Sequence, residues 1–84
     1  MADTFKIQIA TPEKLLVDQE AESAQIPGKD GYLGILAGHA ALLSELGEGK
    51  LSITSGGSTK DYTVHGGYIE VRDNTVRVLA DKAE

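Results

Sequence analysis

Residues Ile26 to Leu43 read IPGKDGYLGILAGHAALL, an apolar run broken by Pro27 and by Gly28, Gly31, Gly34 and Gly38. Glycine serves where a backbone must take positive φ or let another backbone come close, and proline sets φ and withdraws a donor. The stretch is therefore expected to turn repeatedly while holding Tyr32, Leu33, Ile35 and Leu36 in defined directions. A flexible linker would not carry those apolar residues. The segment reads as a shaped surface with no pocket chemistry in it.

Outside this stretch the dominant signal is alternation with period two. Phe5, Ile7 and Ile9 share one face of a strand, as do Ala24 and Ile26, Leu51 and Ile53, Tyr62 and Val64, and Val76 and Val78. Leu15, Leu16 and Val17 form a short run able to enter the same core. Thr11-Pro12-Glu13 is expected to stop the first strand. Gly56-Gly57-Ser58 and Arg72-Asp73-Asn74-Thr75 are expected to join hairpins. Short strands at this spacing, with Gly-rich turns and no sustained 3.6 period, predict an all-β fold with essentially no helix: a small two-sheet β-sandwich. Ala40 to Leu46, AALLSEL, has good helix formers but is too short to be a stable helix, and is assigned extended structure or a single turn.

Composition narrows function further. The chain has 84 residues, enough for one domain spanning residues 1–84, and a domain of this size buries only about 60–65% of its unfolded surface. It has no cysteine, so neither a disulfide framework nor a cysteine metal site can supplement the core. A net charge of −5 argues against a nucleic-acid partner, which needs clustered Lys and Arg, and against anionic lipid. No window approaches the roughly 18 apolar residues that span a bilayer. The amino terminus lacks the basic and long apolar regions of a secretory signal. The expectation is a soluble chain, without direct lipid insertion, that reaches a membrane only through a protein partner.

No local spacing pairs a nucleophile with a base, so no catalytic residue is assigned, and no cofactor or metal is expected. His39 is flanked by Gly38, Ala40 and Ala41, which offer neither ligands nor an orienting carboxylate, so it reads as a structural or interface residue rather than a pH-sensitive one. His65 reads as a strand histidine. Gly66-Gly67 precedes an alternating segment, Tyr68 to Val71, rather than a helix, which favours a β-bulge or close backbone approach over a phosphate cradle. Asp30 and Glu70 have nothing that brings them together as a hydrolytic pair. Asp18, Glu20 and Glu22 are expected on one solvated face that protects a sheet edge, with a basic partner loop as the sharper reading. Tyr32, an amphipathic ring between glycines, is expected at an interface; the alternative is a ring folded over the core.

Three blocks resemble one family, the epsilon subunit of the bacterial and chloroplast F-type ATP synthase in its N-terminal domain. The first, at Pro27, Gly28, Gly31, Gly34, Ile35, Leu36, Gly38, His39, Leu42 and Leu43, is similar to the family's P-G-x-x-G-x-x-G-I-L-P-G-H-x-P-L-L, with Ala37 and Ala41 where proline is usual. The second, VHGGYIEVRDNTVRVLADKAE from Val64 to Glu84, resembles V-x-G-G-F-x-E-V-x-x-N-x-V-T-V-L-A-D-x-A. The third, TPEKLLVD from Thr11 to Asp18, resembles the family's entry to its second strand.

The resemblance implies a sandwich of about ten short strands in two sheets. It also implies a non-catalytic rotor subunit that joins the gamma subunit to the c ring, meets the catalytic head indirectly, and sits peripherally on the cytoplasmic face of the bacterial inner membrane. Carried over by position, Gly28, Lys29, Asp30, Gly31 and Tyr32 are expected to face the c ring, and His39, Ala40, Ala41, Leu42, Leu43 and Ser44 to lie against gamma. The family often has an acidic residue at the place of Tyr32. Most members continue past the place of Glu84 into a regulatory helical hairpin, so the chain reads as a short form, or as one cut at the domain boundary, expected neither to inhibit hydrolysis nor to bind ATP. The alternative from a different class is a free-standing β-sandwich that binds a carbohydrate or other ligand through exposed aromatics, drawn from Phe5, Tyr32, Tyr62 and Tyr68.

Overall fold

A computed structural model describes residues 3–84; the first two positions of the expected domain lie outside it. Seven strands run in sequence order: β1 (Phe5–Ala10), β2 (Leu15–Ala21), β3 (Ser23–Gly28), β4 (Gly31–Leu36), β5 (Leu42–Ser55), β6 (Ser58–Arg72) and β7 (Thr75–Ala83). They hydrogen-bond in the order β2-β1-β7-β6-β5-β3-β4. Neighbours are antiparallel except β1 and β7, which are parallel. No described residue is helical, and Ala40–Leu46 leads into β5 as extended chain.

The all-β reading holds, with fewer and longer strands than the ten or so expected. The reason lies in β5 and β6, of 14 and 15 residues. Their internal glycines bend strands that stay paired on both sides of the bend. Leu42–Leu46 pairs with Gly67–Val71, which pairs with β7 and so leads to β1 and β2. Gly49–Ser55 pairs with Ser58–Val64 on one side and with β3 on the other, which carries β4. One sheet thus folds into two layers, with the crease at Gly47, Gly49, Gly66 and Gly67.

The crease also changes which side of each strand faces inward. In β5 the buried position moves from Leu46 to Leu51 and Ile53, and in β6 from Val64 to Ile69 and Val71. A strict period of two would have put one half of each strand inside out. At Gly67 φ is +122°, and a Cβ would overlap the Leu79 carbonyl. The β6–β7 register runs from His65–Lys82 to Gly67–Ala80 without a slip, so of the two accounts expected of this glycine pair the close backbone approach holds and the bulge does not.

Phe5, Ile7, Ile9, Ile69, Val76 and Val78 from one layer meet Ala24, Ile26, Ile35, Leu51, Ile53 and Val64 from the other in one core. Each large side chain removed from water contributes on the order of 1.5–3 kcal/mol. Both expected hairpins form. Gly56 and Gly57 take φ of +59° and +80°, and Asp73 and Asn74 take +52° and +57°, the positive pairs that two-residue hairpins need. At the end of β1 the Thr11 hydroxyl accepts the Lys14 amide at 3.3 Å.

One face expectation fails in part. Asp18 and Glu20 lie exposed on edge strand β2, with Asp18 3.6 Å from Lys6. Glu22 has left that strand at the bend before β3, where its carboxylate accepts the Gly56 amide at 2.8 Å. Anchoring the β5–β6 turn, which the sequence separates from it by 34 residues, outweighs continuing the alternation.

Candidate functional site

The Gly28–Tyr32 turn is built between β3 and β4. Pro27 is buried, Gly28 pairs with Gly31, and Lys29 and Asp30 form an exposed two-residue tip. The Lys29 amide donates to the Glu45 carbonyl at 3.1 Å, and its ammonium lies 3.0 Å from the Glu45 carboxylate. That hydrogen bond, reinforced by the opposite charge, holds the Lys29 ammonium above the usual lysine range. The tip is thereby tied to β5 one residue beyond Ser44, so the turn and the His39–Ser44 segment, separate in sequence, adjoin in space.

Tyr32 is 58% exposed, and its hydroxyl stands over Gly49, at 3.0 Å from where a Cβ would be. The ring therefore lies across the outside of the fold, neither free in solvent nor folded into the core. Tyr32 and Pro27 are cross-strand partners, which sets the ring's direction.

The second segment is less uniform than its sequence implies. The His39 amide donates to the Leu36 carbonyl at 3.2 Å, and its ring Nδ1 lies 2.7 Å from the Ala40 carbonyl oxygen. Asn74 fixes the loop from the far side: its side-chain oxygen accepts the Gly38 amide at 2.9 Å, while its side-chain NH2 donates to the Thr4 carbonyl at 2.9 Å. Ala40, Ala41 and Leu43 are exposed, Leu43 by 73%. Leu42 instead packs against the core, and Ser44 is half-buried.

Beside this segment the fold assembles a surface that the sequence reading missed. Across the outer face of the first layer, Glu45 pairs with Tyr68, Tyr68 with Leu79, Leu79 with Ala10 and Ala10 with Leu15. Leu15, Tyr68 and Leu79 are each more than half exposed, so four strands contribute one apolar row. The neighbouring row runs Leu43, Glu70, Arg77, Gln8 and Asp18 in register. There the Arg77 guanidinium donates to Glu70 and to Gln8, both at 3.4 Å. The available signal was a large apolar residue on the outward phase of a strand, as with Leu79 between Val78 and Ala80.

The remaining chemistry-bearing residues gather no site. His65 Nδ1 is 3.5 Å from Glu48 on an exposed surface. A cleft of about 470 Å³ nearby is lined by Lys14 and Lys82 as well as Glu13, Asp81 and Glu84, with no predominance of either charge. Among the described residues no His, Cys, Asp and Glu cluster is placed to hold a metal. Phe5 is buried, which removes it from any exposed aromatic platform.

Comparison with known proteins agrees with this geometry. Residues 4–84 match the family described as ATP synthase, Delta/Epsilon chain, beta-sandwich domain. The ATP synthase epsilon chain of Solibacter usitatus is 49% identical over 84 residues, all of this chain and 63% of its own length. That of Koribacter versatilis is 52% identical over 84 residues, all of this chain and 59% of its own length. The chain thus spans about three-fifths of these relatives. In fold it superimposes on a chain of the Euglena gracilis mitochondrial ATP synthase OSCP/F1/c-ring structure with a TM-score of 0.89 at 23% identity, covering 96% of this chain and 52% of that one. A chain of the Tetrahymena thermophila mitochondrial ATP synthase central stalk and c ring gives 0.79 at 21% identity, covering 94% and 64%.

Proposed function

The chain belongs to the ATP synthase Delta/Epsilon chain β-sandwich family, and on that footing we propose that it serves as a non-catalytic part of the central stalk of a proton-translocating ATP synthase. In this reading residues 1–84 are one domain that joins the gamma subunit to the c ring, on the cytoplasmic face of the bacterial inner membrane. It meets the catalytic head only through gamma. Torque then passes between ring and gamma through a joint that must not slip, and a folded sheet whose turns are tied back by backbone hydrogen bonds suits that duty.

The observation that carries the reading is the family match over residues 4–84 combined with two adjoining exposed surfaces. The Gly28–Tyr32 turn is assigned to the c ring. Its tip carries Lys29 and Asp30, and Tyr32 supplies an aromatic contact. The outward residues of His39 to Ser44, chiefly Leu43, are assigned to gamma. The row through Tyr68, Leu79 and Leu15 extends that surface, since an apolar stripe rimmed by polar residues is a usual partner footprint.

The test is to immobilise the 84-residue chain, expose it to solubilised membranes from its source, and identify retained proteins by mass. Recovery of gamma with the catalytic head supports the reading. Leu43→Asp is expected to reduce that recovery without unfolding the chain, whereas Leu42→Asp would damage the core. Absence of those subunits with a demonstrably folded chain would overturn the assignment.

A further inference from the structure

The two edges of the folded sheet are guarded very differently. β2, at one end, carries exposed Asp18 and Glu20, and its pairing with β1 slips at Ile9–Ala10. Charges and bulges of this kind keep edges from pairing with other chains. At the other end β4, Gly31-Tyr32-Leu33-Gly34-Ile35-Leu36, has no charged residue, no proline and no slip anywhere along its register with β3. Tyr32 and Leu36 on this edge are 58% and 65% exposed.

The backbone of β4 is arranged in a matching way. Gly28 and Gly31 close a two-residue turn, so they form a hydrogen-bonded pair, and antiparallel pairs alternate from there. Gly31, Leu33 and Ile35 spend their amides and carbonyls on β3. Tyr32, Gly34 and Leu36 turn theirs outward, with the Leu36 carbonyl also accepting the His39 amide. The two exposed large side chains, Tyr32 and Leu36, therefore stand on the outward-turned positions, with Gly34 between them.

We propose that the β4 edge binds a second copy of this chain by antiparallel strand addition about a two-fold axis at Gly34. In that register Gly34 faces the partner's Gly34, and Tyr32 faces the partner's Leu36. All three facing pairs are of the hydrogen-bonded kind, so each outward donor finds a carbonyl. On the outer face Tyr32 and the partner's Leu36 become cross-strand neighbours, while the tyrosine ring keeps its place over Pro27 and Gly49. At the centre the two glycines remove side-chain crowding. Shifting the register by one residue would set Tyr32 against the partner's Ile35, whose side chain points into the core, so even registers are selected. No like charges oppose one another along the strand, which makes the contact self-complementary as a two-fold interface requires.

The interface is small. Two six-residue strands fall short of the roughly 1,000 Å² that a stable association needs, so the pairing is weak and concentration-dependent. It occupies Tyr32, and a chain paired in this way has one of its stalk surfaces covered. The proposal stands apart from the stalk assignment, since it is read from the isolated chain.

The test is sedimentation equilibrium of the 84-residue chain over a wide concentration range, combined with amide exchange by NMR. Expected is a monomer–dimer equilibrium in which the Tyr32, Gly34 and Leu36 amides gain protection as concentration rises. Leu36→Lys, which places a charge on the edge, and Gly34→Pro, which removes an outward donor, should each weaken dimerisation roughly tenfold or more. Leu79→Lys, on the apolar row of the other layer, should leave it unchanged, and NMR spectra confirm that each variant is folded. A chain that stays monomeric up to its solubility limit overturns the proposal and leaves the edge to a strand of another protein. A dimer insensitive to Leu36→Lys, or one lost equally with Leu79→Lys, overturns it as well.

Discussion

The Cα of Gly47 faces the carbonyl of Gly28 so closely that a Cβ at position 47 would lie 2.8 Å from the Gly28 oxygen. The crease of β5 is thereby seated on the turn that carries Lys29 and Asp30. Gly47→Ala is expected to lower stability by about 1–3 kcal/mol and to shift the Lys29 amide resonance, because the turn must lift away from β5. Urea denaturation and an NMR spectrum check both. Unchanged Lys29 chemical shifts would mean that the strain is absorbed elsewhere.

The glycines differ in what they tolerate. Gly67 combines φ of +122° with a Cβ position that overlaps the Leu79 carbonyl, whereas Gly56 has φ of +59° with open space around it. Gly67→Ala should therefore cost about 3 kcal/mol or more and Gly56→Ala only about 1 kcal/mol. Comparing the two midpoints in urea decides the order, and equal costs would refute the close-approach account.

Asn74 holds three segments at once: its own left-handed turn at φ of +57°, the Gly38 amide and the Thr4 carbonyl. Replacement by Gly keeps the backbone conformation and deletes only the side-chain bonds. Asn74→Gly is expected to cost about 1–2 kcal/mol at near-neutral pH, with faster amide exchange at Gly38 as the specific sign of a loosened His39 loop.

The Lys29–Glu45 pair has a defined pH range. The folded-state value for Lys29 is raised above its ordinary 10.5, so its stabilising effect is fully present below 10.5 and is lost as pH climbs through the raised folded value. Tip anchoring should thus be constant through neutral pH and weaken only in strong alkali. Titrating the Lys29 side-chain resonance tests this, and Glu45→Gln should bring the titration back toward the ordinary value.

If the Gly28–Tyr32 turn meets the ring, the aromatic contact there outweighs the lysine, whose ammonium is already engaged by Glu45. Tyr32→Ala is expected to reduce coupled proton pumping in reconstituted membranes more than Lys29→Ala. Equal pumping in the two variants would remove Tyr32 from that role.

Local pattern carried much of the architecture. Phe5, Ile7 and Ile9 are all buried on one face, and the turns at Gly56-Gly57 and Asp73-Asn74 stand where their residue types required positive φ. The β5 and β6 strands were not legible as single long elements. Glycine has the same letter whether it ends a strand or bends it, and only pairing with a neighbour keeps the bent chain in the sheet. Half of the candidate surface was legible for a similar reason. The exposed turn at Gly28–Tyr32 is local in sequence, while the row through Leu15, Ala10, Leu79 and Tyr68 is drawn from four strands.

The sequence by itself determined that this chain is all strand, that faces such as Phe5, Ile7 and Ile9 turn inward, and which family it belongs to, because alternation, turn chemistry and motif spacing are properties of neighbouring residues. Only the tertiary structure decided that Leu42 packs inward while Leu43 faces out, that Glu22 leaves its strand to hold Gly56, and that Lys29 is tied to Glu45. Each of these depends on register between segments distant in the chain, and register is set by how the crease glycines let one sheet close over its own core.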